Sequence, residues 1–185
     1  MKSRHVFVAS ALALALSACG QPPAPSAEPP VAAPPTETAA APAPVEAAPA
    51  VTGSKPATVA DCATTIEGND AMQYNADSIT VPASCTQFTI TLKHAGTMAV
   101  NVMGHNVVVA KQADMAGIAA DGMAVAPEHV KPDDARIIAH TRMLGGGETA
   151  SVSFDVAKVK DGGPFKFFCS FPGHLALMQG SLQVQ

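Results

Sequence analysis

The chain has 185 residues, with 11 Lys/Arg against 15 Asp/Glu for a formal net charge of −4 at pH 7. That balance argues against nucleic-acid binding, which requires a basic face. Composition is also uneven, since 11 of the 16 prolines fall within residues 20–60, and this divides the chain into three zones.

In chain order, Lys2 and Arg4 open a short basic start, an apolar run extends from Val6 to Leu16, and Leu16-Ser17-Ala18-Cys19 follows. This pattern predicts a secretory signal peptide over residues 1–18. The apolar run is shorter than the ~20 residues a membrane span needs. Its ending resembles a bacterial lipobox, which implies that Cys19 becomes the first mature residue and carries lipid, not metal. Several acyl chains together give stable anchoring where one does not. Behind the lipidated Cys19, the stretch to residue 60 is Pro/Ala-rich and has no aromatic residue. Such a segment cannot bury enough apolar surface to offset its ordering entropy, so residues 19–60 are expected to be a disordered linker. At ~3.1 Å per residue in polyproline II, about 40 residues reach roughly 120 Å.

Residues 61–185 are long enough for one domain with a core. Phe88-Thr89-Ile90-Thr91-Leu92 and Val152-Ser153-Phe154-Asp155-Val156 alternate apolar and polar residues with the period of a half-buried strand. Cys62–Ile66, Ser78–Val81, Val107–Val109, Arg136–Thr141, Phe165–Cys169 and Ser181–Val184 complete the set, between Gly, Asn, Asp and Pro breaks. Seven or eight short strands predict an all-β Greek-key sandwich or barrel, built from two antiparallel sheets. Residues 111–124 are rich in Ala and Met, and are expected to form a short helical insertion on the flank. The domain holds three cysteines, Cys62, Cys85 and Cys169, so one stays unpaired. Pairing Cys62 with Cys85 would stabilise the domain by about 3 kcal/mol in the loop-entropy account; pairing one of them with Cys169 is the alternative.

The chemistry concentrates in Cys169-Ser170-Phe171-Pro172-Gly173-His174-Leu175-Ala176-Leu177-Met178, at the end of an apolar strand. A thiol, an imidazole and a thioether share one loop, and His105 lies far upstream in Met103-Gly104-His105-Asn106. Two imidazoles, one thiolate and a weak axial thioether are the ligand set of blue-copper electron-transfer sites. Each residue alone has a plainer explanation, as a core histidine, a buried thiol or a core-filling methionine. Two chemical competitors remain. A Cys/His nucleophilic pair would not call for the methionine, and structural zinc prefers four strong ligands where only three are present.

These motifs, with Asp121-Gly122-Met123, Lys131-Pro132-Asp133-Asp134, Ile138-Ala139-His140-Thr141, Glu67-Gly68-Asn69-Asp70 and Met72-Gln73-Tyr74-Asn75, resemble the azurin family of cupredoxins from about Asp61 to the C-terminus. The front end resembles the lipid-modified azurins. The resemblance implies one copper per domain, with His105, Cys169 and His174 in the trigonal plane, Met178 as the weak axial ligand and the Gly104 carbonyl opposite it. Asn106 would tie the ligand-bearing segments together, and backbone N–H groups near Ser170 and Phe171 would donate to the sulfur. Cys62 and Cys85 match the family's disulfide, while His94 and His140 match histidines outside the site. Val107 stands where many azurins have a buried tryptophan.

The function so implied is one-electron shuttling between cupric and cuprous copper, with no catalysis, in a monomer lipid-anchored in the periplasm, at the outer membrane. His174 would lie near the surface as the electron's exit. Around it, Met98, Val102, Met103, Met123, Phe171, Pro172, Ala176 and Leu177 would form an apolar docking patch for c-type cytochromes or copper- or haem-containing reductases. The alternative is an envelope copper-binding protein for metal buffering or resistance. A copper reductase would need a second histidine set, and only His5, His94, His129 and His140 remain.

Overall fold

The computed structural model describes residues 54–185. The signal segment at 1–18, Cys19 and the linker as far as residue 53 lie outside the described residues. Ordered pairing begins ahead of the expected domain start at 61, with a bridge between Pro56 and Ser78 and a first strand, β1, at Val59–Ala60.

The remaining strands are β2 (Ala63–Asn69), β3 (Gln73–Tyr74), β4 (Ser78–Val81), β5 (Gln87–His94), β6 (Val108–Lys111), β7 (Ile137–His140), β8 (Thr149–Asp155), β9 (Phe165–Phe168) and β10 (Gln179–Val184). Two sheets form, one in the order β1-β2-β5-β8 with β3 also paired to β2, the other in the order β4-β10-β9-β6-β7. The chain crosses repeatedly from one sheet to the other, as Greek-key connections do. One expectation needs correcting: the sheets are mixed. β2 pairs in parallel with β5, and β4 with β10. Parallel neighbours need a crossover between them, and the passage through β4 in the opposite sheet supplies it for β2 and β5.

The core lies between the sheets, and strand alternation puts it there. Phe88, Ile90, Leu92 and His94 of β5 are all fully buried, while Thr89 and Thr91 face outward and bond to Ser153 and Ser151 across the pair. Cys62, just before β2, is joined to Cys85, just before β5, so the parallel pair is linked covalently at its start. Val107, at the position of the missing tryptophan, is fully buried in this core.

The expected insertion at 111–124 is a 3-10 turn, Gln112–Asp114, leading into a helix at Met115–Gly122. Two four-residue helices, at Val100–Met103 and Ala157–Lys160, were not anticipated. Taking the three helices in chain order as α1, α2 and α3, it is α2 that matters for packing. Its Met115 and Ile118 cover Val108, Ala110 and Phe168 on the outer face of the second sheet. β6 and β9 are therefore buried on both faces, which is why they read as near-continuous apolar runs. No helix among the described residues is long and apolar enough to cross a membrane.

Candidate metal centre

β9 positions the thiol. Phe165, Phe167 and Cys169 follow one another on the inward-facing side, so Cys169 is the next core position after the strand ends. Its N–H donates to the Met178 carbonyl at 3.0 Å, closing the loop at its base. Inside that loop, the His174 N–H donates to Phe171 at 3.0 Å and the Met178 N–H donates back to His174 at 2.8 Å. Gly173 sits at φ +86° with open space around it, so glycine is required there by the backbone and not by crowding. A tight turn thus folds His174 back toward Cys169.

His105 arrives from just ahead of the neighbouring strand β6, whose Val108 pairs with Phe168 of β9. Its backbone pairs with Leu144 through two bonds of 3.0 and 2.8 Å. Its ring is held on two sides. Nε2–H donates to the Asn69 carbonyl at 2.9 Å, and the ring stacks on His94 at 4.3 Å between centroids, 19° from parallel. His94 is itself fixed, since Nδ1 accepts the Gly96 N–H at 3.1 Å and Nε2–H donates to the Met103 carbonyl at 2.7 Å. Gly68 makes room for the His105 and Met178 side chains: a Cβ there would lie 2.9 Å from His105 Cδ2 and 3.3 Å from Met178 Cε.

With Nε2 committed, His105 presents Nδ1 inward. Among the described residues it is the one buried side-chain nitrogen or oxygen without a hydrogen-bond partner. Such atoms are costly and call for an explanation. The explanation lies alongside: ligand atoms of His105, Cys169 and His174 all fall within 4.8 Å of one another. Cys169 Sγ is 3.6 Å from His174 Nδ1 and 3.8 Å from the Gly104 carbonyl oxygen. Asn106 clasps the loop from beside His105, taking the Ser170 N–H on Oδ1 at 2.9 Å and donating Nδ2–H to Ser170 Oγ at 2.8 Å.

Burial dominates the electrostatics. It pushes the Cys169 thiol up to about 11, against the smaller opposing pull of the Asn106 and Phe171 N–H groups. It pushes His174 down to about 4, helped by the neighbouring His105 and His94, and it lowers His105. The pocket therefore disfavours every charged form of its own side chains, and a bound cation would reverse that for the thiol.

Several expectations are refined. Ser170 does not offer its N–H to the sulfur, because Asn106 takes it; Asn106 and Phe171 provide the N–H groups there. His174 is enclosed, at 3% exposure, instead of lying at the surface, although Pro172 and Gly173 beside it are exposed. Met98, Val102, Met123 and Leu177 are the large exposed hydrophobic residues of the described chain, Pro172 and Ala176 are also exposed, and Met103 and Phe171 are half-buried. His140 is exposed and outside the cluster. The supporting contacts of Gly68, Asn69 and Tyr74 were missed. So was the stacking of His94, although the alternation Phe88, Ile90, Leu92 extends inward to position 94.

A soft sulfur and two imidazole nitrogens, buried and held by backbone bonds, suit a copper ion that changes oxidation state. Comparison with known proteins agrees. A profile of the family described as copper binding proteins, plastocyanin/azurin family, matches residues 60–185. The chain belongs to that family. It is 57% identical over 127 residues to Azurin-1 of Alcaligenes xylosoxydans xylosoxydans, covering 68% of this chain and 98% of that protein. It is 55% identical over 180 residues to outer membrane protein H.8 of Neisseria meningitidis serogroup B, covering 96% of each. Among solved structures it is similar to the azurin Az-iso2 of Methylomonas sp. strain J, with a TM-score of 0.65 and 42% identity over 68% of this chain and 99% of that one. The cupredoxin fold, one copper at the His105, Cys169 and His174 cluster, and blue-copper electron transfer follow from membership together with this site.

Proposed function

We propose that His105 Nδ1, Cys169 Sγ and His174 Nδ1 would be the strong ligands of a bound copper, with the Met178 thioether and the Gly104 carbonyl as weaker donors. The observation that carries this reading is the orphaned His105 Nδ1, buried beside a thiol and a second imidazole. Copper bound there supplies one electron at a time by alternating between its cupric and cuprous states. The chain's part is to hold the donors still and to exclude water. Cys169 and His105 are fully buried, and each is anchored through the backbone. Neither oxidation state then demands movement of the protein, and no open position is left for a substrate. Burial also favours a carrier over a copper buffer, since a buffer exchanges metal readily and these donors are closed off.

The electron's route is through the enclosed His174 and the apolar collar of Met98, Val102, Met123, Pro172, Ala176 and Leu177, against which a c-type cytochrome or a copper- or haem-containing reductase docks. Small apolar contacts of this sort suit encounters that must also release quickly. A signal peptide over 1–18 directs export and is cut away, and the lipidated Cys19 with the linker behind it then tethers the domain in the periplasm. The likeness over 180 residues to a protein named as an outer membrane protein supports the outer membrane as the anchor.

The test is spectroscopic. Cupric ion added to the full-length protein gives an intense blue charge-transfer band and a narrow copper hyperfine splitting in EPR, and Cys169→Ser abolishes both. A pale spectrum unaltered by the substitution would remove Cys169 from the ligand set and end the electron-carrier reading.

A further inference from the structure

Tyr74 is the only tyrosine in the chain and lies on the two-residue strand β3, 8% exposed. A strand that short has almost no backbone cohesion of its own, so its side chains hold it in place. Its hydroxyl crosses to the other side of the site and donates to the main-chain carbonyl of Asn106, 32 residues away in sequence. Its ring packs on Phe167, with centroids 5.7 Å apart, two residues before Cys169 on the same inward face. Its backbone pairs with Gly68, next to the Asn69 whose carbonyl holds His105 Nε2–H. Tyr74 therefore contacts the supports of both His105 and Cys169.

Asn106 is where these supports converge. Its carbonyl takes Tyr74, its side-chain amide takes Ser170 twice, and its N–H faces the Cys169 sulfur. The residue is fully buried, so no solvent can replace any of these partners. We propose that Tyr74 is a positioning residue of the metal centre, whose hydroxyl fixes the Asn106 main chain so that the His105-bearing and Cys169-bearing segments keep one relative geometry. The inference rests on the copper reading given above. Burial, with the nearby Cys169 adding to it, raises the Tyr74 hydroxyl well above its ordinary value, so it stays protonated and remains a donor.

Tyr74→Phe keeps the ring and its packing and removes only the donor. The Asn106 carbonyl is then buried without that partner, and its segment relaxes toward another. As it turns, the Asn106 N–H withdraws from the sulfur. A thiolate with one donor fewer is richer in electrons and favours the cupric state, so the reduction potential falls. Copper affinity weakens about tenfold, the low end of what losing a supporting partner costs a metal site. In the copper-free protein the Ser170 amide, bonded to the same Asn106, exchanges its hydrogen faster.

The experiment compares the full-length protein with Tyr74→Phe and with protein grown on a ring-fluorinated tyrosine. Because there is one tyrosine, the analogue alters this hydroxyl alone, and it makes it a stronger donor. The expected result is a lower potential and faster Ser170 exchange for Tyr74→Phe, and a raised potential for the fluorinated protein. A Tyr74→Phe protein with lower thermal stability but the original potential and the original Ser170 exchange would reduce Tyr74 to a core residue and overturn the proposal. Absence of a blue band in the unmodified protein would instead sink the copper reading, and Ser170 exchange in the copper-free chain would still decide the role of Tyr74.

Discussion

At Gly68 the missing side chain lets His105 and Met178 come together, and at Gly173 it lets the backbone turn. Cys169, His174 and His105 are held uncharged by burial. Near neutrality the copper-free site contains a protonated Cys169, held up at about 11, and two unprotonated imidazoles, with His174 near 4 and His105 also lowered. Metal ligation needs the thiolate and the free imidazole nitrogens. Copper loading at about pH 7 is therefore expected to release one proton, from Cys169 alone. As pH falls through about 4, His174 takes up a proton, so loading releases a further one and apparent affinity falls more steeply. Calorimetric titrations in buffers of different ionisation enthalpy count these protons. Two protons released at neutrality would show that a histidine is charged in the free protein.

At the level of elements, β6 and β9 are covered by the core on one side and by α2 on the other, while the metal centre hangs from their ends. The helix is thus a cover for the sheet and not a wall of the site. Ile118→Ala removes a fully buried side chain from that contact and is expected to destabilise the protein by about 2–5 kcal/mol. The blue band and its EPR splitting should stay as they are. Denaturant unfolding measures the first, and a spectrum altered along with stability would show that α2 transmits to the ligand loop. Long alternating strands such as β5 were readable because one face of each is buried and the other solvated. β1 and β3, at two residues each, have no period to read, and the four-residue α1 and α3 are too short to show helical spacing.

Across the whole molecule, electrostatics separates structure from site. The ionic anchor lies outside the metal cluster, where Arg136 grips Asp134 through Nε at 2.8 Å and through Nη2, and also reaches Asp121 at 2.6 Å. Asp134 is 5% exposed, and the Arg136 guanidinium holds its carboxyl down at about 2, below an ordinary value of 3.8. A carboxylate depressed on folding stabilises the native state above its unfolded value and loses that contribution as pH falls through the folded one. The unfolding temperature should accordingly drop between pH 3.8 and about 2. Asp134→Asn should start lower at neutral pH and show a shallower acid drop, with copper binding intact. An unchanged acid slope in the variant would assign the acid sensitivity to other depressed carboxylates, such as Asp70, Asp77 and Glu148.

The candidate donors and most of the strands are legible in the amino-acid sequence alone. The order and types of Cys169, His174 and Met178 on one loop, the upstream His105, and the alternation that turns Phe88 to Leu92 inward are covalent facts, readable without coordinates. Only the tertiary structure decided what depends on distance through space. It paired β2 with β5 in parallel, joined Cys62 to Cys85, enclosed His174 and stacked His94 on His105. It also spent Nε2 of His105 on a carbonyl 36 residues away, leaving Nδ1 free beside a thiol. Spacing along a chain specifies which groups are available. Which lone pair is left without a partner depends on every neighbour that packs around it.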